Sequence, residues 1–160
     1  MNIKIRLTAM NFLQYAVWGA YLTSMGTFLA GAGLAENIGW FYAVQGFVSL
    51  FMPAIIGIVA DRWVPAQKLL GLCHLLAAAG MAGAAYFGSL PQVSCALVFA
   101  CYTFSVAFYM PTIALSNSVA YTALRQGGFN TVSAFPPIRV FGTVGFICAM
   151  LTSNFTGFQN

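Results

Sequence analysis

Five apolar stretches run through this chain, each long enough to cross a bilayer as a helix, at about residues 8–30, 38–60, 69–88, 93–121 and 136–154. A helix rises about 1.5 Å per residue, so roughly 20 apolar residues span the hydrocarbon core. Charged residues make up only 5% of the chain and hydrophobic residues 61%, a balance that soluble domains do not normally tolerate. We therefore predict an all-α integral membrane protein with about five transmembrane helices.

The charges between these stretches predict the orientation of the chain. Five cations fall at the N-terminus and in every second loop, and the first outer loop holds only Glu36. Cytoplasmic loops of membrane proteins carry an excess of Lys and Arg, so we place the N-terminus inside. The net charge of +4 therefore reflects topology and gives no support to a nucleic-acid partner. The cations are Lys4, Arg6, Arg62, Lys68 and Arg125.

The first stretch carries a polar and aromatic stripe at helical spacing, made of Asn11, Gln14, Tyr15 and Trp18. Lipid disfavours such a stripe, so it should face other helices or a cavity, although aromatic residues near a helix end also form interfacial belts. A secretory signal peptide is the other interpretation of a basic start and an apolar run. The run is too long for one, and we interpret it as a retained first span.

The fifth stretch places a cation inside an apolar helix. Pro136 and Pro137 suit a helix start, and Arg139, Thr143 and Phe146 then share one face at i, i+4 and i+7. A charge at membrane depth costs roughly 2.5 kcal/mol or more, so such residues usually face a bundle interior or a water-filled cavity. The alternative is that Arg139, only about 4.5 Å along the axis from that start, snorkels to the headgroups. The residues alone leave both interpretations open.

The fourth stretch also has a polar side, which follows from the helical spacing of Tyr102, Ser105, Tyr109, Thr112 and Ser116. Hydroxyls in membrane helices either bond neighbouring helices or contact a solute, and both roles remain open here. His74 in the third stretch has two comparable interpretations, as a proton relay or as a hydrogen-bonded packing residue.

Gly57, near the end of the second stretch, precedes a short loop that begins with Asp61 and Arg62. The glycine permits close approach of backbones, and Asp61 could accept from free N–H groups at a neighbouring helix start, as a conformational latch. An ordinary cytoplasmic turn whose cations fix topology is the alternative.

Other kinds of chemistry find little support. The four cysteines lack metal-ligand spacing and only one histidine is present, so we expect neither a metal nor a cofactor. We also expect no enzyme, because we find no deep carboxylate pair, no buried Ser/His/Asp set and no phosphate-binding glycine loop.

Several short segments of the sequence resemble those of known protein families. The segment Gly57–Arg62 resembles the signature loop between the second and third helices of the major facilitator superfamily, although Val64 and Pro65 replace the glycine and basic residues usual there. Three further segments resemble the nucleoside:proton symporter family of that superfamily, and the similarity extends over essentially the whole chain. They are Phe12–Gly19, Tyr109–Thr112 and Phe135–Thr143.

The resemblance implies proton-coupled uptake of nucleosides across the bacterial cytoplasmic membrane, by alternating access between two six-helix halves. It implies that Arg139, Thr143 and Phe146 contact the nucleoside: the guanidinium could donate to ribose hydroxyls or a base carbonyl, and Phe146 could stack on the base. The complete predicted set of substrate contacts is Arg139, Thr143, Phe146, Gln14, Trp18, Tyr109 and Thr112.

The family has about twelve spans, whereas this chain supplies about five. We therefore expect residues 1–160 to form most of the N-terminal six-helix bundle, with lipid and the absent C-terminal half as partners and the proton-coupling acid in that half. Two alternatives share the physical features: a small non-transporting membrane interaction protein, and a facilitator for sugars or other metabolites.

Overall fold

The computed structural model describes residues 2–157, and five long α-helices account for most of them. A short 3-10 turn, Ala35–Asn37, lies between the first two helices. Each predicted stretch corresponds to one helix, and the observed helices extend past most of the predicted ends. The helices are α1 (Ile3–Gly31), α2 (Ile38–Arg62), α3 (Ala66–Gly88), α4 (Cys95–Gln126) and α5 (Thr131–Phe155).

The start of α5 differs from the prediction. The helix begins at Thr131, because the side chain of Asn130 accepts a hydrogen bond from the Val132 N–H at 3.0 Å and caps it. Pro136 and Pro137 therefore lie in the second turn rather than at the start. As a result Arg139 is about 12 Å along the axis from the first helical residue, not about 4.5 Å, at a rise of about 1.5 Å per residue. At this greater distance from the helix end, the Arg139 side chain reaches the lipid headgroups less easily.

Glycines in the left-handed conformation end α1 and α4. Gly33 has φ 76° and Gly128 has φ 73°. In each case the next residue donates back five positions, with Leu34 N–H to the Leu29 carbonyl at 2.8 Å and Phe129 N–H to that of Leu124 at 3.0 Å. This glycine-terminated turn satisfies carbonyls that the helix end would leave without partners.

The described residues form two compact units. Unit one contains residues 2–28 and 116–157, which include most of α1, the end of α4 and all of α5. Its apolar core is Leu7, Ala120, Leu124, Phe135 and Ile138.

Unit two contains residues 29–115, with α2, α3 and most of α4. Its core includes Ile56, Leu69, Cys73 and Leu115. One side of α3 is a buried stripe of small residues, and a Cβ on Gly80 would lie 2.9 Å from the Cys101 carbonyl oxygen. The small residues therefore let α3 approach the α4 backbone closely, as membrane helices commonly do.

In unit one, α1 and α5 also touch main chain to main chain. A Cβ on Gly19 would lie 2.5 Å from the Phe146 carbonyl oxygen, and one on Gly145 would overlap the carbonyl of Phe12. Real Cβ atoms do not come this close, so glycine is required at both crossing points. This contact places the side chains of the two helices beside one another.

Four helical segments are long and apolar enough to cross a membrane, residues 35–62, 66–88, 95–126 and 131–155. The remaining helix, α1, has the length, but Asn11 and Gln14 lower its mean hydropathy. Many large apolar side chains are exposed, among them Trp40 at 70% and Leu50 at 72% on α2. Such an exposed apolar surface suits contact with lipid or with further protein.

Candidate functional site

Arg139 is the first member of a row of contacting side chains from α1 and α5. Its guanidinium carbon lies 4.0 Å from the centre of the Tyr15 ring. Tyr15 is followed by Trp18 at 6.0 Å between ring centroids, and Trp18 meets the Phe146 ring edge to face at 5.7 Å. We call these four residues, Arg139, Tyr15, Trp18 and Phe146, the aromatic row. It combines a fixed cation with three aromatic rings.

Gly142 makes room for the first half of the row. A Cβ at this position would lie 2.6 Å from Tyr15 Cδ2 and 3.2 Å from Arg139 Nη1. Because the glycine is buried and lacks a side chain, the Tyr15 ring fits against α5 where Arg139 can reach over it. The sequence around Arg139 therefore determines the position of its aromatic neighbour.

Several polar atoms near the row are buried without a hydrogen-bond partner among residues 2–157. They are the Tyr15 hydroxyl, the Trp18 indole N–H and the Asn11 side-chain oxygen. Tyr15 is only 4% exposed, and Asn11 is completely buried. Leaving such an atom unsatisfied costs about 1–3 kcal/mol, so folded proteins normally provide a partner. Water or a polar solute would reduce this cost.

The charge of Arg139 has no acidic counterpart within unit one. Residues 1–28 and 116–160 contain neither aspartate nor glutamate. A cation over a ring face is stabilised by about 0.5–2 kcal/mol, less than the cost of a charge at membrane depth. The five N–H donors of the guanidinium suit the oxygen acceptors of a neutral polar solute. This arrangement can bind a molecule that has both hydroxyl or carbonyl oxygens and an aromatic ring.

The structure brings together some of the predicted substrate contacts. Arg139, Trp18 and Phe146 lie in the aromatic row, Gln14 is buried on the same helix as Trp18, and Thr143 is exposed on α5. Tyr109 and Thr112 belong to unit two.

In unit two, Tyr109 packs edge to face against His74 at 6.0 Å. The Thr112 hydroxyl donates to the Tyr109 carbonyl at 2.5 Å, within its own helix.

Sequence reasoning placed Tyr15 in a polar stripe but missed its contact with Arg139. The available signal was Gly142, less than one turn beyond Arg139, which leaves a gap on α5 that a large ring can fill.

Two hydroxyls of the polar side of α4 bond neighbouring helices. The Tyr102 hydroxyl donates to the Gln45 side-chain oxygen at 2.6 Å, and the Ser105 hydroxyl donates to the Ala77 carbonyl at 2.7 Å. Of the two roles left open, the structure therefore shows helix-to-helix bonding for these two residues. His74 donates through Nδ1 to the Leu70 carbonyl at 2.8 Å, an arrangement typical of a packing residue.

The latch residues lie at the end of α2. Asp61 and Arg62 occupy its last turn and are exposed. A Cβ on Gly57 would meet nothing within 4 Å, so the close backbone approach expected at this glycine does not occur within residues 2–157. The latch interpretation therefore depends on Asp61 and Arg62 alone.

A separate groove of about 290 Å³ lies on α1 and α5. Small and apolar side chains such as Ala16, Ala20 and Ala149 line it, so it offers few partners for a polar solute. No cluster of three or more potential metal ligands occurs in the part of the chain that the structure describes.

Comparison with known proteins identifies the family. The family model for the nucleoside H⁺ symporter matches residues 1–158. The chain belongs to the nucleoside H⁺ symporter family. Two relatives in Escherichia coli are the xanthosine permease, 43% identical over 94% of this chain, and the nucleoside permease NupG, 38% identical over 99%. Members of this family are membrane transporters. Both relatives are transporters and not enzymes.

The fold agrees with that of this symporter family. The crystal structure of the nucleoside transporter NupG matches 99% of the chain at 35% identity with a TM-score of 0.90. NupG is a major facilitator transporter, and its N-terminal part is the region matched, which confirms the predicted fold class. The chain spans only 35% of the xanthosine permease and 37% of NupG.

Proposed function

We propose that this chain is the N-terminal part of a longer permease that takes up nucleosides together with protons by alternating access. The observation that supports this most directly is the aromatic row in a member of the nucleoside H⁺ symporter family. A nucleoside has the chemistry that the row suits, since its ribose and base carry oxygen acceptors and its base is a flat ring.

In this proposal the two ends of the row have different tasks. Arg139 donates hydrogen bonds to ribose hydroxyls or to a base carbonyl, and Phe146 stacks on the base. The distance of Arg139 from the start of α5, about 12 Å along the axis, supports a cation that faces a cavity inside the protein. Five residues complete the proposed contacts, Trp18, Thr143, Gln14, Tyr109 and Thr112.

We assign the proton-coupling acid to the rest of the permease. The two carboxylates of this chain are Glu36, in the 3-10 turn before α2, and Asp61, in the last turn of α2. Neither lies in the middle of a helix, where a coupling acid has to exchange its proton with a cavity. The proposed partners are therefore the C-terminal half of the permease, the lipid bilayer, the nucleoside and protons.

The proposed location is the bacterial cytoplasmic membrane, with several spans and the N-terminus inside. The cations Lys4, Arg6 and Arg125 then lie on the cytoplasmic side, as the positive-inside rule requires. Asp61 and Arg62 fall on the same side, where we propose that they form a latch between conformations.

The test is uptake by cells that express the full-length permease and lack other nucleoside permeases. We expect accumulation of radiolabelled nucleoside above the empty-vector level, its abolition by a protonophore, and competition by unlabelled nucleosides but not by free sugars. Uptake of radiolabelled sugar without uptake of radiolabelled nucleoside would establish a sugar facilitator instead. Accumulation at the vector level, with the protein present in the membrane, would favour the non-transporting alternative.

A further inference from the structure

The Tyr15 ring lies directly against the Arg139 guanidinium, with 4.0 Å between the guanidinium carbon and the ring centre. We propose that Tyr15 is a positioning residue, whose ring holds Arg139 in the orientation that contacts the nucleoside. This inference rests on the proposed function. It gives Tyr15, which is not among the proposed contacts with the nucleoside, a role that it performs through Arg139.

Arg139 needs such support because its side chain is long and has no acidic partner within the described part of unit one. Ordering an arginine side chain costs about 1.5–2 kcal/mol of rotamer entropy, and a carboxylate would normally offset this. Residues 1–28 and 116–160 contain no aspartate or glutamate side chain. In unit one the ring of Tyr15 is the aromatic surface on which the guanidinium rests.

Tyr15 can act as a fixed surface because its own position is determined by packing. The residue is only 4% exposed, its ring contacts Trp18, and Gly142 provides the space on α5 that the ring occupies. A side chain held in this way by its neighbours loses little further entropy when it orders Arg139.

A ring also has a chemical advantage over a carboxylate at this position. A carboxylate binds a guanidinium through two parallel N–H···O bonds and so occupies two donors. The face of a ring attracts the cation through its quadrupole and leaves those donors for the nucleoside. The inference therefore assigns the orientation of Arg139 to Tyr15 and the polar contact with the nucleoside to Arg139.

The first experiment measures the KM of nucleoside uptake by the full-length permease and by single variants, at matched amounts of protein in the membrane. Tyr15→Phe keeps the ring, and we expect its KM to stay within about twofold of wild type. Tyr15→Leu and Tyr15→Met remove the ring, and we expect KM to rise about five- to thirtyfold with little change in maximal rate. Whichever of these two variants reaches the membrane serves the comparison.

A matched control is Tyr121→Leu. Tyr121 also belongs to unit one, and its ring stacks on Phe135 at 4.3 Å rather than on Arg139. We expect this variant to keep the wild-type KM. A rise as large as that of Tyr15→Leu would mean that KM responds to any lost ring, which would overturn the inference.

The second experiment repeats Tyr15→Leu in an Arg139→Gln background. If Tyr15 acts through Arg139, the added substitution changes KM by less than about twofold, because the group that it positions is gone. The same multiplicative rise as in the wild-type background would overturn the inference, as would an equal loss in Tyr15→Phe and Tyr15→Leu. A wild-type permease that accumulates no nucleoside contradicts the proposed function, whereas normal wild-type uptake with an unchanged KM in Tyr15→Leu contradicts this inference alone.

Discussion

Gly145 lies directly against the backbone carbonyl of Phe12, so that α1 and α5 meet without an intervening side chain. Gly19 makes the equivalent contact with the Phe146 carbonyl. The two helices that carry the aromatic row therefore approach as closely as backbones allow. The arrangement of the candidate site therefore depends on two glycines that have no side chain to contact a solute.

Gly145→Ala should destabilise the protein. The added methyl would overlap the Phe12 carbonyl, and overpacking of this kind costs about 1–3 kcal/mol. We expect a lower thermal unfolding temperature of the purified permease in detergent. The matched control is Gly71→Ala on α3, where a Cβ meets nothing within 4 Å and alanine favours the helix. Equal unfolding temperatures for the two variants would contradict the close contact of α1 and α5.

Phe146→Ala should weaken binding of the nucleoside. Stacking of a base on an aromatic side chain contributes about 1–3 kcal/mol, which corresponds to a rise in KM of about five- to 150-fold. Phe141→Ala is the control, because Phe141 lies on the same helix and is 48% exposed. If both variants have the same KM, Phe146 does not contact the base.

Ser105→Ala should reduce the stability of the protein without changing the KM of nucleoside uptake. Its hydroxyl donates to the Ala77 carbonyl, and hydrogen bonds between membrane helices contribute about 0.6 kcal/mol on average. Thr103→Val removes a buried hydroxyl that has no partner among residues 2–157, so it should leave stability unchanged or slightly higher. A raised KM in Ser105→Ala at normal stability would show that this serine contacts the solute after all.

Asp61→Asn should lower the maximal rate of uptake while KM stays close to wild type. A latch biases the conformational equilibrium of the transporter and does not touch the nucleoside. Glu36→Gln removes the other carboxylate of the chain, which is exposed in the 3-10 turn, and should have little effect. Matching maximal rates for Asp61→Asn and wild type would support an ordinary cytoplasmic turn.

The number and positions of the helices could be predicted from the sequence because bilayer thickness sets the length of an apolar span. The start of α5 could not be predicted in this way. Both the proline pair and the cap residue Asn130 are valid signals for a helix start, and the sequence pattern favoured the prolines. The capping hydrogen bond to Val132 shows that the earlier start is used. Because the two local signals are of similar strength, the predicted start of α5 was wrong by five residues.

The candidate site was predictable only in part. Arg139, Thr143 and Phe146 share one face of a single helix, and helical spacing alone reveals this. The contact of Arg139 with Tyr15 joins two helices that are distant in sequence, and it depends on the space at Gly142. Spacing within one helix contains no information about such a crossing.

The central claim is that Arg139 contacts the nucleoside from inside the protein, and Arg139→Ala tests it most directly. Uptake of radiolabelled nucleoside below its KM should be measured at matched membrane levels, with the exposed Arg125→Ala as control. Each lost hydrogen bond to a charged group costs about 1.5–3 kcal/mol, so we predict that Arg139→Ala lowers uptake at least about tenfold while Arg125→Ala does not. Wild-type uptake by Arg139→Ala would contradict the account.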